Sequence, residues 1–154
     1  MSTPDFIFKR ISSCEPHLMA GMLDVFAAAF DDVPSYAGQR PGHDYTRRLL
    51  ESESFVGLVA LHDGRVIGGL AAYELVKFEQ ERSEFYIYDL AVDEGHRRTG
   101  VATGLILALK PIAAARGAKV IFIQADRGDH AATALYTRLG RAEDVLHFDI
   151  ATDQ

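Results

Sequence analysis

Asp63-Gly64 lies between two apolar runs, "SFVGLVALH" and "RVIGGLAAYELVKF". This pair constrains the fold more than any other feature of the chain. It favours a two-residue hairpin because both central residues tolerate positive φ, and a hairpin commits the flanking runs to neighbouring antiparallel strands. The next run, "SEFYIYDLAV" (83–92), reads as a third long strand.

The remaining periodicity surrounds this sheet with helices. "FIFKRIS" (6–12) alternates like a strand, and 15–30 has helical spacing, with Pro16 tolerated in the first turn. "DDVPSYAGQRPGHD" (31–44) is rich in turn formers and is expected to be a loop, followed by a short helix over 44–52. A helix over 99–117 ends at Gly117, 119–125 reads as a buried strand, 129–140 as an amphipathic helix ended by Gly140, and 143–150 as a last strand. Pro111 removes one helical hydrogen bond, so a kink or an early break is expected there. The order β-α-α-β-β-β-α-β-α-β is that of an α+β fold, with helices packed on a largely antiparallel sheet and one βαβ crossover.

Composition narrows the class. With 154 residues, 48% of them hydrophobic, the chain suits one compact domain over 1–154. No window approaches the roughly 18 apolar residues of a membrane span, and no basic segment with a long apolar run opens the sequence, so a cytoplasmic protein is expected. One cysteine, Cys14, excludes an internal disulfide and is expected to be an inert, small apolar side chain. A net charge of −6 disfavours non-specific nucleic-acid binding and suits a cationic ligand.

Within this acidic chain, "HRRTGVATG" (96–104) places two arginines and a glycine before a helix. A helix N-terminus leaves about four N–H groups unpartnered and carries roughly half a positive charge, so a glycine-lined approach to it is an anion site. Arg97, Arg98, Thr99, Gly100, Val101 and Ala102 have the composition to hold a pyrophosphate. The common nucleotide loops do not match: GxxxxGK with Ser or Thr is absent, and Gly100 and Gly104 do not fit GxGxxG. Arginines before a helix also occur as a plain solvated turn.

Val92-x-x-x-x-Arg97-x-x-Gly100-x-Ala102 resembles the R/Q-x-x-G-x-G/A loop of the GNAT N-acetyltransferases, whose backbone amides bind the pyrophosphate of acetyl-CoA. Asp129-x-x-Ala132-x-x-Leu135-Tyr136-x-x-x-Gly140 is similar to that family's second motif, NxxAxxLYxxxGF, with Asp129 for the common Asn and Arg141 for the common Phe. The resemblance spans the chain. It implies the GNAT fold: a mixed, largely antiparallel sheet with helices on both faces and a βαβ core that binds acetyl-CoA. It also implies coenzyme contacts from Leu90, Ala91, Val92, Arg97–Thr103, Asp129 and Ala132.

"KFEQERSEFYIYDLAVDEGHRR", with "LHFDI" and "FDDVPSY", is similar to the aminoglycoside 3-N-acetyltransferases of the gentamicin-modifying type. That likeness implies acetyl transfer to one amine of a cationic aminoglycoside, and the acidic balance agrees with it. A polyamine or protein amine is the alternative acceptor, and a noncatalytic acyl-CoA sensor the alternative class. Homodimers are common in the family and one is expected here.

The reaction needs a neutral amine, a stabilised oxyanion and a proton for the leaving thiolate. For the last, the resemblance points to Tyr136, whose phenol has a reference pKa near 10, roughly matched to an alkyl thiol; a tyrosine packed on the core is the other reading. Asp89 interrupts the apolar "YIYDLAV" where the family's strand bulges, and an acidic group there is costly unless paired or at an edge. It is a candidate to orient the substrate ammonium or relay its proton, or else a structural carboxylate bonded to bulge amides. Asp32, Glu84, Asp126 and Asp149, with Tyr86, are candidates to line a cationic substrate pocket. Asp126, Asp129 and His130 are explained by helix capping and a solvated loop, so no metal is expected. His43, His62, His96 and His147 have no spacing that argues catalysis.

Overall fold

The computed structural model describes residues 4–153. The chain divides into two compact units, Met1–Gln124 and Ala125–Gln154. The first contains strands β1 (Ile7–Arg10), β2 (Phe55–His62), β3 (Arg65–Val76), β4 (Ser83–Val92) and β5 (Ala118–Ile123), with helices α1 (Pro16–Ala29), α2 (His43–Glu51) and α3 (Val101–Ala115); the second contains α4 (His130–Leu139).

The five strands form one sheet in the order β1-β2-β3-β4-β5. Pairing is antiparallel from β1 to β4 and parallel between β4 and β5, the pair that α3 connects. At the hairpin, Asp63 (φ 50°) and Gly64 (φ 77°) both take left-handed backbone, as the two-residue turn requires.

Two adjacent glycines show how the helices sit. A Cβ added to Gly68 would meet Val101 and Leu105 of α3, whereas one added to Gly69 would run into Met22 of α1. Successive strand residues face opposite ways, so α1 and α3 cover opposite faces of the sheet. On the α1 side, Leu18, Met19, Met22 and Phe26 pack with Phe55, Val59 and Ala91. On the other side Val101, Leu105 and Leu109 are fully buried, each side chain contributing roughly 1.5–3 kcal/mol. This is an α+β fold of the expected kind, with a largely antiparallel sheet and helices on both faces.

Several expectations need correction. α3 runs through Pro111, so of the kink or break expected there the break does not occur. The carbonyl freed by the missing N–H belongs to Leu107, whose side chain is exposed, so water can satisfy it. β5 is half exposed rather than buried. Residues 141–150 form no strand: their apolar alternation signals extended chain, but a strand also needs a pairing edge. The loop expected at 31–44 carries a π-helical turn at Pro34–Gly38. Cys14 is exposed, not packed. No helix among the described residues is long and apolar enough to cross a membrane.

Candidate active site

β4 changes register at Tyr88. Asp89 pairs with Ala71 while Ile87 pairs with Ala72, so Tyr88 is an extra residue opposite β3. Directly paired residues share a face, and Gly69, Ala71 and Tyr73 lie on the α1 side. Their partners Ala91, Asp89 and Tyr86 therefore lie there too. Strict alternation would have carried Asp89 into the apolar layer with Phe85 and Ile87, both fully buried. The bulge instead turns Asp89 to the same face as Tyr88, and both line a cavity of about 190 Å³ with Met22, Phe26, Tyr36 and Tyr73. A larger open hollow of about 350 Å³, lined by Arg10–Ser13 and Leu50–Glu53, contains none of the motif residues.

The Tyr36 hydroxyl donates to Asp89 Oδ2 at 2.9 Å. Tyr36 is held by the π-helical turn, where Asp32 Oδ1 accepts from Ser35 N at 3.2 Å, and its ring packs on Phe26 and Phe30 at 5.8 and 5.4 Å between centroids. Burial pushes the Asp89 carboxyl above its ordinary value, and the Tyr36 hydrogen bond pulls part of that shift back. Burial, then the Asp89 carboxylate, push the Tyr36 phenol upward, so it stays a donor. The result is a half-buried carboxyl group at an aromatic cavity, suited to meet an ammonium group or accept its proton.

The same strand opens on its other side. Parallel pairing with β5 ends at Ile87–Ile123, so Tyr88–Val92 have no β5 partner among the described residues. Past β4, Arg98 (φ 63°) and Gly100 (φ 87°) are both left-handed, and Arg97, Arg98, Thr99 and Gly100 are exposed. Arg97 Nε donates to the Val92 carbonyl at 3.3 Å, and the Thr99 hydroxyl donates to the His96 carbonyl. Among the described residues no side chain caps α3, so its first N–H groups are left for solvent or ligand. Nothing lies within 4 Å of a Cβ built on Gly100, which leaves the loop open there. Val101 turns its side chain into the core under Gly68, while Ala102 and Thr103 continue the first turn of α3. Open backbone, an uncapped helix start and two arginines fit the pyrophosphate of acetyl-CoA. Gly104 has another reason to be small: a Cβ there would strike the ring of Phe8.

In the second unit, Asp129 caps α4 by accepting from Ala132 N at 3.0 Å. Desolvation, then the charge of Asp129, push the Tyr136 phenol up to about 12. The Asp126 carbonyl accepts from Asp129 N, and Asp149 pairs with His147 at 2.9 Å. Among the other candidates, Glu84 is paired with Arg82 at 3.1 Å, and the Tyr86 hydroxyl donates to Gln124 at 3.0 Å while its ring stacks on Phe122. Among the described residues, no three His, Cys, Asp or Glu side chains are placed to share a metal ion. The sequence alone gave Tyr36 no role, although it closes the "FDDVPSY" stretch that carries part of the resemblance.

The model of the Acetyltransferase (GNAT) family matches residues 22–140. A solved aminoglycoside acetyltransferase from an uncultured soil metagenomic sample is 54% identical to the chain, with a TM-score of 0.95 over 97% of this chain and 99% of that one. A second, from an uncultured soil metagenomic sample and in complex with sisomicin, is 27% identical, with a TM-score of 0.88 over 96% and 97%. An aminoglycoside N-acetyltransferase in complex with CoA shares the fold at 14% identity, with a TM-score of 0.78 over 99% and 98%. No curated protein sequence matches the chain.

Proposed function

The chain belongs to the acetyltransferase (GNAT) family, and we propose that it acetylates the 3-amino group of gentamicin-type aminoglycosides and thereby confers resistance to them. Acetyl-CoA, the coenzyme of the family, supplies the acetyl group as a thioester. In this reading Arg97–Thr103 hold its pyrophosphate, with Asp129 and Ala132 contributing from the second motif, and the backbone of Leu90, Ala91 and Val92 lies along its thioester arm. The observation that carries the substrate reading is the Asp89 carboxyl group, turned by the bulge to an aromatic cavity and bonded to Tyr36. A carboxylate there attracts an ammonium group and, with its proton affinity raised, can take the proton that the amine must lose before attack. Tyr136 is the proposed proton donor to the leaving thiol. Asp32, Glu84, Asp126 and Asp149, with Tyr86, are the proposed contacts to the other ammonium groups and sugar rings.

Likeness to aminoglycoside acetyltransferases, one at 54% identity and one holding sisomicin, supports the substrate class. The test is a thiol-release assay with gentamicin, an aminoglycoside carrying both 3- and 6′-amino groups, spermidine and a short peptide, with the acetylated position read by NMR. Acetylation at the 3-amino group is expected. Acetylation at 6′ would overturn the regiochemistry alone, and turnover of only spermidine or peptide would overturn the substrate class. The same reading makes the enzyme a cytoplasmic homodimer, checked by light scattering and cell fractionation. Expression in a susceptible host should raise the inhibitory concentration of gentamicin.

A further inference from the structure

His62, the last residue of β2, and His96, in the turn before the glycine loop, meet side chain to side chain: His62 Nδ1 lies 3.1 Å from His96 Nε2, across 34 residues of sequence. His96 Nδ1 lies 3.1 Å from Asp93 Oδ2. An ionised carboxylate only accepts, which assigns the proton of neutral His96 to Nδ1 and leaves its Nε2 to accept from His62 Nδ1–H. Phe6 packs edge-on against both imidazoles, at 5.5 and 6.2 Å between centroids. Asp63 Oδ2 lies 3.8 Å from His62 Nε2.

His96 is tied into the loop through its main chain as well. Its N–H donates to the Asp93 carbonyl at 2.9 Å, and its own carbonyl accepts from Thr99 Oγ1. Two residues further on, Arg98 holds a left-handed φ of 63°. A non-glycine residue there is strained and persists only where its surroundings fix it. Arg97 ties its own position to β4 through the bond from Nε to the Val92 carbonyl, while the exposed Arg98 side chain has no packing to hold its φ.

We infer that His62 and His96 form a clasp that anchors this loop to the end of β2, making His62 a positioning residue for the pyrophosphate of the coenzyme. The inference rests on the reading of Arg97–Thr103 as the coenzyme loop. His62 touches neither coenzyme nor substrate in this role; it keeps the Thr99–Gly100 backbone in place at the uncapped start of α3. Breaking the clasp frees the loop, and ordering it again is then charged against binding.

The experiment measures CoA affinity by calorimetry for the native protein, His62→Leu, His62→Gln, His96→Leu, the double Leu variant and Gly100→Val, with kcat at saturating acetyl-CoA alongside. His62→Leu should weaken CoA binding by about tenfold with kcat within about twofold of native, the pattern of lost preorganisation. Gln keeps a donor and should restore affinity to within about threefold. The double Leu variant should bind about as weakly as either single, because each breaks the same hydrogen bond. Native-like affinity in His62→Leu, equal losses in Leu and Gln, or additive losses in the double variant would each overturn the clasp while leaving the loop in place, provided Gly100→Val binds weakly. Native-like affinity in Gly100→Val would overturn the loop reading and the clasp with it.

Discussion

Tyr36 and Asp89 are 53 residues apart in the chain and 2.9 Å apart in the fold, hydroxyl to carboxylate. Neither side chain is placed by its own element alone. Tyr36 needs the π-helical turn and Asp89 the bulge, and the bond forms where the two converge. Burial raises the Asp89 carboxyl, so folding disfavours its ionised form relative to the unfolded chain. The contribution of such a group is fully present below its unfolded value and is lost as pH rises through the folded one. Asp89→Asn should therefore melt no lower than the native protein at pH 7, while kcat/KM for gentamicin falls more than about tenfold, or roughly 1.4 kcal/mol of transition-state stabilisation. Calorimetric melting and steady-state kinetics decide it; a lower melting temperature with native kinetics would make Asp89 structural.

Tyr36→Phe removes the hydrogen bond that holds part of the Asp89 shift back. The carboxyl should then protonate at still higher pH. If Asp89 acts as the carboxylate that takes the amine proton, the acid limb of kcat/KM moves upward in this variant and disappears in Asp89→Asn. An acid limb at the same pH in all three proteins would assign it to another group.

What was legible in the sequence was local. Asp63-Gly64 specified its turn because the backbone chemistry of two residues is enough, and the strand over 83–92 emerged with its full length because apolar alternation and flanking polar residues agree. Asp129 could be read as a cap from position alone, and its side chain accepts from Ala132 N. Tyr36–Asp89 and His62–His96 could not be read that way, since their partners meet only once the sheet and loops are assembled. The segment 143–150 shows the converse: alternation predicted a strand, but pairing is a property of two segments and a periodic pattern describes one.

The loop itself is testable by size against charge. Gly100 has open space where a side chain would go, yet its φ of 87° and the close approach of backbone to pyrophosphate both penalise a Cβ. Gly100→Val should weaken CoA binding by about a hundredfold, and Arg98→Ala by about tenfold, since one exposed charge contributes less than access to several N–H groups. Added salt should narrow the difference between native and Arg98→Ala, because the arginine contribution is screened. Equal losses in both variants would count against backbone recognition.

Away from the site, Glu74 is nearly fully buried and accepts from Arg116 at 3.1 and 2.8 Å and from Ser83 Oγ at 3.0 Å. The Arg116 hydrogen bonds hold its carboxyl below the usual 4.5. A depressed carboxyl contributes stability above its unfolded value and loses it as pH falls through the folded one. As pH falls through and below the usual carboxylate value of 4.5, the native melting temperature should therefore drop more steeply than that of Glu74→Gln, which should start lower at pH 7. Parallel melting curves for the two proteins would place the acid sensitivity elsewhere.

Tyr136 offers the sharpest separation of chemistry from packing. Desolvation and Asp129 push its phenol up to about 12, so it carries its proton across the working pH range. A donor must be protonated when the thiolate leaves, and this one is; its raised value also moves it off the match with an alkyl thiol that an ordinary phenol has, so the transfer runs uphill by roughly two pKa units. Tyr136→Phe keeps the ring and removes the proton, so packing is preserved while donation is lost. Turnover should fall about 10²- to 10⁴-fold, with CoA affinity within about twofold of native. Below about pH 10 the native kcat should show no basic decline assignable to a tyrosine, because ionisation of Tyr136 lies higher. A loss of less than about threefold in the Phe variant would make the tyrosine a packing residue and leave solvent as the proton source.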